Sequence, residues 1–226
     1  MRKNTKLRVA IKRVLNRFAT RLPERPRYNP FEILIATIIS QNTNDTNTFR
    51  AMEVLKRYGT TPRKLASTRV ENIAKMIKIA GLQRQKAKRI KDVSRYILRK
   101  YDGDVKKIIK LPDELVKKEL TSIGGIGPKT ADVFLAFAKG SDVIPIDTHI
   151  FRISRRLGIA KPKDTYEEVQ QKLQTLIAKG KRASGHLALI QFGREICKAR
   201  NPRCVSCIVK NLCPSSKYFI QQTGFS

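Results

Sequence analysis

Residues 113 to 138 read DELVKKELTSIGGIGPKTADVFLAFA, two helix-forming stretches closed on one another by a turn with glycine at 124, 125 and 127. Such a turn sets two helices side by side, because glycine permits positive φ and Pro128 suits the first position of the second helix. Helical spacing recurs along the chain. Ala87, Ile90, Val93 and Ile97 share a face, as do Val169, Leu173, Leu176 and Ile177, and no segment alternates as a strand would. The fold class that follows is all-α. Breaks fall at Pro23 and Pro26, at Pro30, from Gly59 to Pro62, at Gly81, Gly103, Leu111-Pro112, Gly124 to Gly127, Gly140 and Gly180. They predict mostly short helices of about ten to fifteen residues.

Lysine and arginine number 48 against 18 acidic residues, a formal charge of +30 spread through all 226 positions. A polyanion is the partner such a charge selects, whether a nucleic acid, an anionic membrane or a cell-wall polymer. The longest apolar run, Ile33 to Ile39, is far short of the roughly 20 residues of a membrane span, so a spanning protein is not expected, and no membrane is counted among the expected partners. The basic, acid-poor N-terminus admits reading as a transit peptide. Leu7, Ile11, Val14, Leu15 and Phe18 nevertheless fit one face of a helix docking on the body.

The glycine turn leaves amide groups free where a helix begins, which suits phosphate, although a glycine-rich hairpin without a ligand has the same pattern. Lys129 stands in the first turn of that helix, where the dipole and partial burial disfavour an ammonium. A neutral amine there can attack an aldehyde; otherwise Lys129 contacts phosphate like many lysines. Asp147 follows the apolar VIPI and precedes a helical pattern. Capping explains it, and so does stabilising an oxocarbenium-like sugar. His149, one of two histidines, has a structural reading beside a functional one.

All four cysteines fall within C-x6-C-x2-C-x5-C, at Cys197, Cys204, Cys207 and Cys213. None is left to staple the rest of the chain, which favours a reducing compartment and a local metal site. Zinc ribbons usually pair two close knuckles, and here only Cys204 and Cys207 are so placed; a cubane cluster tolerates unequal gaps better, and zinc stays the alternative. Lys198, Arg200 and Arg203 lie between the first two cysteines, either gripping phosphate or forming a solvated charge run.

Taken in order, GIGPKTA, the aspartate of IDTHIFR and the cysteine spacing resemble the endonuclease III branch of the helix-hairpin-helix DNA glycosylases. The likeness extends through FEILIATIISQNTNDTN and AGLQRQKA. It implies Lys129 as nucleophile, Asp147 assisting, and a four-iron four-sulfur cluster held by the four cysteines. It implies DNA contacts from Gly125, Gly127, His149, Lys198, Arg200 and Arg203, with Gln41, Asn42 and Leu82 filling the gap left by an extruded base. Two departures stand out: Asn42 lies where the family often has a longer glutamine, and Gly124 where it often has proline.

The architecture implied is two helical domains flanking a DNA-binding cleft: residues 30–142 as a six-helix barrel with the hairpin, and 143–226 as a cluster domain joined by the N-terminal helix of 1–29. The activity implied is release of an oxidised pyrimidine from duplex DNA, then cutting 3′ to the abasic site by β-elimination through a lysine Schiff base. These reactions move no net electrons, so the cluster is expected to be structural. A mismatch glycosylase that leaves the strand uncut and a non-catalytic iron–sulfur DNA-binding module are the alternatives. A monomer acting on damaged or abasic duplex is expected, cytoplasmic at the nucleoid in a prokaryote, nuclear or mitochondrial in a eukaryote.

Overall fold

The computed structural model describes residues 3–19 and 27–223, so the expected break at Pro23 and Pro26 lies outside the described residues. Among them are thirteen α-helices and no strand. In chain order these are α1 (Lys3–Phe18), α2 (Pro30–Ile39), α3 (Asp45–Tyr58), α4 (Pro62–Ser67), α5 (Val70–Met76), α6 (Gln83–Tyr101) and α7 (Val105–Ile109). There follow α8 (Asp113–Thr121), α9 (Pro128–Phe134), α10 (Thr148–Arg156), α11 (Tyr166–Leu176), α12 (Arg182–Glu195) and α13 (Ser216–Thr223). The chain divides into two compact units, one of Arg25–Ser141 and one joining Met1–Glu24 to Asp142–Ser226.

In the first of these units α2 is the central helix, packed against α3, α6 and α9. Contact on several sides explains its apolar run: Phe31, Leu34, Ile35, Ile38 and Ile39 are all buried. No described helix is long and apolar enough to cross a membrane. Asn29 and Glu32 form a reciprocal capping box, each side chain accepting from the other's amide at 2.9 Å. The expected face of α6 is buried in full at Ala87, Ile90, Val93 and Ile97, against α4 and α5.

Helices shorter than the expected ten to fifteen residues are common, α4, α5, α7 and α9 having five to seven. Side-chain stops cause this at α4. Thr61 caps its start ahead of Pro62, and the Thr68 hydroxyl donates to the Lys64 carbonyl at 2.7 Å to close its end.

In the other unit α1 packs on α12 and α11, burying Leu7, Ile11, Val14 and Phe18 with Leu15 partly covered. The docking-helix reading of the N-terminal pattern therefore describes residues 3–18. Phe18 meets Phe192 edge to face at 5.5 Å. Val169, Leu173 and Ile177 join the same core, and Leu176 packs at its margin.

Candidate nucleic-acid interface and metal centre

The hairpin runs from α8 through residues 122–127 into α9, as the sequence pattern predicts. Its turn is held from beneath by Ile123 and Ile126, both buried, while glycines 124, 125 and 127 face out. Gly125 adopts φ +85°, a region costly to any side chain. It is glycine for a second reason: a Cβ there would lie 2.4–2.9 Å from the side chain of Arg89. Among the described residues no carbonyl accepts from the amides of Gly125 and Gly127, so these donors remain available where α9 begins. Lys129, half-buried, stands directly after Pro128 in the first turn.

Two ionic ties fix the hairpin. Buried Asp132 of α9 pairs with Lys117 of α8 at 3.4 Å. Glu119 of α8 accepts from Tyr96, from Tyr101 at 2.9 Å and from Lys100 at 2.6 Å, which fastens α8 to α6. Lys100 first, then Tyr96, draw the Glu119 carboxyl down to about 2.

Gln41 and Asn42 lie in the turn after α2; Asn42 is exposed in the left-handed region at φ 54°, and half-buried Gln41 accepts a hydrogen bond from Arg89. Leu82 is the left-handed residue opening α6, and 52% of it is exposed. Its loop is anchored by Lys86, whose ammonium is buried and donates to the Ala80 carbonyl at 2.7 Å. Burial, and then neighbouring Arg89, push the Lys86 pKa down. Sequence reading passed over Lys86, although its position four residues before Ile90 places it on the apolar stripe.

Asp147 is the N-cap of α10, accepting from the Ile150 amide at 2.8 Å through Oδ1. The segment leading to it is pinned backbone group by backbone group. The Gln170 amide donates to Ile144 O at 2.8 Å, the Ile146 amide donates to the Tyr166 hydroxyl at 3.1 Å, and the His186 ring bonds Pro145 O at 2.9 Å. None of these three had a sequence signal, because their partners are carbonyls and amides that every residue carries. His149 lies against Gly193, its Nδ1 3.0 Å from Arg152 Nη2, and burial lowers its pKa.

The four cysteines line one pocket, walled by Leu157, Phe192, Ile196 and Val209. Arginines of α10 hold the loop that begins there. Arg152 donates to Cys197 O at 2.9 Å and Gly193 O at 3.0 Å; Arg156 donates to Lys198 O at 2.6 Å and Ala199 O at 3.1 Å, and reaches Cys197 Sγ at 3.5 Å. Sequence reading missed both arginines. Lys198 is half-buried, while Arg200 and Arg203 are exposed on the loop.

Burial pushes the Cys207 thiol up to about 11 and raises Cys204 and Cys213, so thiolates here need a cation to offset their desolvation. No three His, Cys, Asp or Glu side chains among the described residues converge as a single metal ion requires. One zinc ion would draw every sulfur to about 2.3 Å from one point. A cubane takes its four thiolates at separated corners, and four cysteines around one pocket supply that donor set.

Comparison with known proteins agrees with this. Residues 35–179 match the family model described as HhH-GPD superfamily base excision DNA repair protein, and residues 197–213 match the iron–sulfur binding domain of endonuclease III. The chain accordingly carries a 4Fe–4S cluster. Endonuclease III of Thermotoga maritima is 39% identical over 185 residues, 82% of this chain and 83% of that protein. That of Bacillus subtilis is 37% identical, over 82% of this chain and 81% of its own. A solved structure of a trapped endonuclease III–DNA covalent intermediate superposes with TM-score 0.86 at 31% identity, covering 97% of this chain and all of that one. Sequence identity sustained over four fifths of these relatives, with one fold throughout, makes the chain a member of the endonuclease III family of base excision DNA repair proteins.

Proposed function

We propose that the chain excises damaged pyrimidines from duplex DNA as a monomer, with Lys129 as the nucleophile of a DNA glycosylase and abasic-site lyase. The observation that carries this reading is a lysine in the first turn behind an amide-rich glycine turn, within a base excision repair fold. The amides of Gly125 and Gly127 would hold the phosphate backbone, with Lys198, Arg200 and Arg203 adding salt-dependent grip. Gln41, Asn42 and Leu82 would fill the gap left when the base is turned out. Residues 30–142 would act as the hairpin domain, and 143–226 with 1–29 as the cluster domain.

Lys129, as the neutral amine, forms a bond from Nζ to C1′ while the glycosidic bond breaks and the base leaves with its electron pair, then gains a proton. Opening of the sugar ring yields the Schiff base. Loss of a C2′ proton expels the 3′ phosphate oxygen with the C3′–O electrons, and water frees the lysine. Asp147 would offset positive charge developing at the sugar. Its Oδ1 is engaged by the Ile150 amide, which orients the carboxylate and leaves Oδ2 for this role. The 4Fe–4S cluster, held by Cys197, Cys204, Cys207 and Cys213, would stiffen the basic loop.

Borohydride trapping tests the assignment on duplexes with an abasic site or thymine glycol. A covalent adduct that is absent with Lys129→Ala is expected. No adduct from the unaltered protein on either duplex would remove the lyase, leaving base release alone or DNA binding alone.

A further inference from the structure

Three segments meet at one guanidinium. Arg89 of α6 lays its stem against Gly125, where Cγ, Cδ and Nε occupy the space a Cβ would need, and its Nη1 donates to Gln41 Oε1 across 48 residues of sequence. All three residues belong to the unit Arg25–Ser141. No carboxylate pairs with Arg89 among the described residues, so Gln41 is its polar partner there.

Arginine has five donors and no acceptor, and a glutamine amide accepts only through its oxygen. A contact between the two therefore decides which way the amide faces. With Oε1 turned to Arg89, Nε2 is the end left to present, and it carries donors only. An unconstrained glutamine would offer either end.

We infer that Arg89 is a positioning residue that fixes Gln41 as a hydrogen-bond donor toward the unpaired base opposite the lesion, so that the site selects opposite bases by the acceptors they carry. The inference rests on reading Gln41 as a gap-filling residue. The Gly125 floor matters to it because the stem of Arg89 is located by the same turn that grips phosphate. Docking of the backbone and presentation of the amide are in this way registered to one another. A lysine at 89 would donate without the planar fork, and an aliphatic residue would release the amide.

Binding, rather than turnover, tests this separately from the chemistry of Lys129. Affinities would be measured at fixed salt for duplexes carrying a non-cleavable abasic analogue opposite adenine, 1-deazaadenine or 3-deazaadenine, each deaza analogue lacking one ring acceptor. The unaltered protein is expected to bind the adenine duplex about 3- to 10-fold more tightly than at least one analogue, the worth of one hydrogen bond. That gap closes in Arg89→Met, which keeps the stem over Gly125 and loses the donors, and in Gln41→Leu. The double variant adds nothing further, and Arg89→Lys restores part of the gap. Equal melting of Arg89→Met and the unaltered protein is expected, since the covered turn is retained.

A gap that persists in Arg89→Met overturns the inference, as does additivity in the double variant or the absence of any gap in the unaltered protein. A drop of about one in the salt slope of Arg89→Met overturns it too, because Arg89 would then be a phosphate contact. Failure of borohydride trapping would instead strike the lyase reading, leaving these affinities measurable.

Discussion

The glycine turn and the cysteine loop are both expected to meet DNA, yet they are built by opposite means. Residues 122–127 carry their own foundation, with Ile123 and Ile126 buried below and glycine conformations above. Residues 197–213 bury two apolar side chains, Pro202 and Val209, and depend on Arg152, Arg156 and the cluster. A turn that supplies its own core tolerates loss of its ligand. A loop that borrows its order from a metal does not, because its few apolar contacts cannot offset the chain entropy of ordering it.

Removing a cluster ligand therefore gives the largest effect. Cys207→Ser should abolish the visible absorbance of the cluster and destabilise the unit that bears the loop by on the order of 4 kcal/mol. Hydrogen exchange should show protection lost across 197–213 and kept at 122–130. Equal loss in both regions would break the contrast drawn between them.

The reverse experiment is milder. Gly125→Ala should cost about 1–2 kcal/mol through its left-handed backbone, and should displace Arg89. Melting and DNA affinity would fall while cluster absorbance stays unchanged. An unaltered affinity would mean the turn does not hold phosphate.

Acid provides the smallest and most selective probe. Glu119 lies near 2 in the folded chain against an ordinary 4.5, so its contribution is complete above about 4.5 and is lost as pH falls toward 2. The tie between α6 and α8 should loosen in that window, and Glu119→Gln should flatten the melting temperature there. Burial raises Tyr101 of the same cluster to about 12. That neutral phenol favours the fold below pH 10 and ceases to do so as pH rises through 12. A Glu119→Gln variant with the same acid profile as the unaltered chain would place the dependence elsewhere.

Much of the candidate site was legible as local pattern. Pro128 after a glycine turn, Asp147 before a helix and four cysteines within one short stretch each report on neighbours a few residues away, which is the range over which periodicity and capping act. The same range hid Arg89, Arg152 and Arg156. On a helix they read as solvated charge, and apart from His149 beside Arg152 their partners lie 41 to 48 residues distant. Helix lengths were overestimated for a related reason: Thr68 ends α4 by a hydroxyl bond that glycine and proline counting does not register.

By itself the sequence determined that this chain is helical, basic, hairpin-bearing and supplied with four clustered thiols, since each follows from residue type at fixed spacing. Only the tertiary structure decided what holds those features in place. Gln170, Tyr166 and His186 pin the approach to Asp147, arginines of α10 grip the cysteine loop, and Arg89 joins Gln41 to Gly125. The physical reason is common to all three. Their partners are mostly backbone carbonyls and amides, present at every position and distinguished from one another only once the fold has brought one of them within reach.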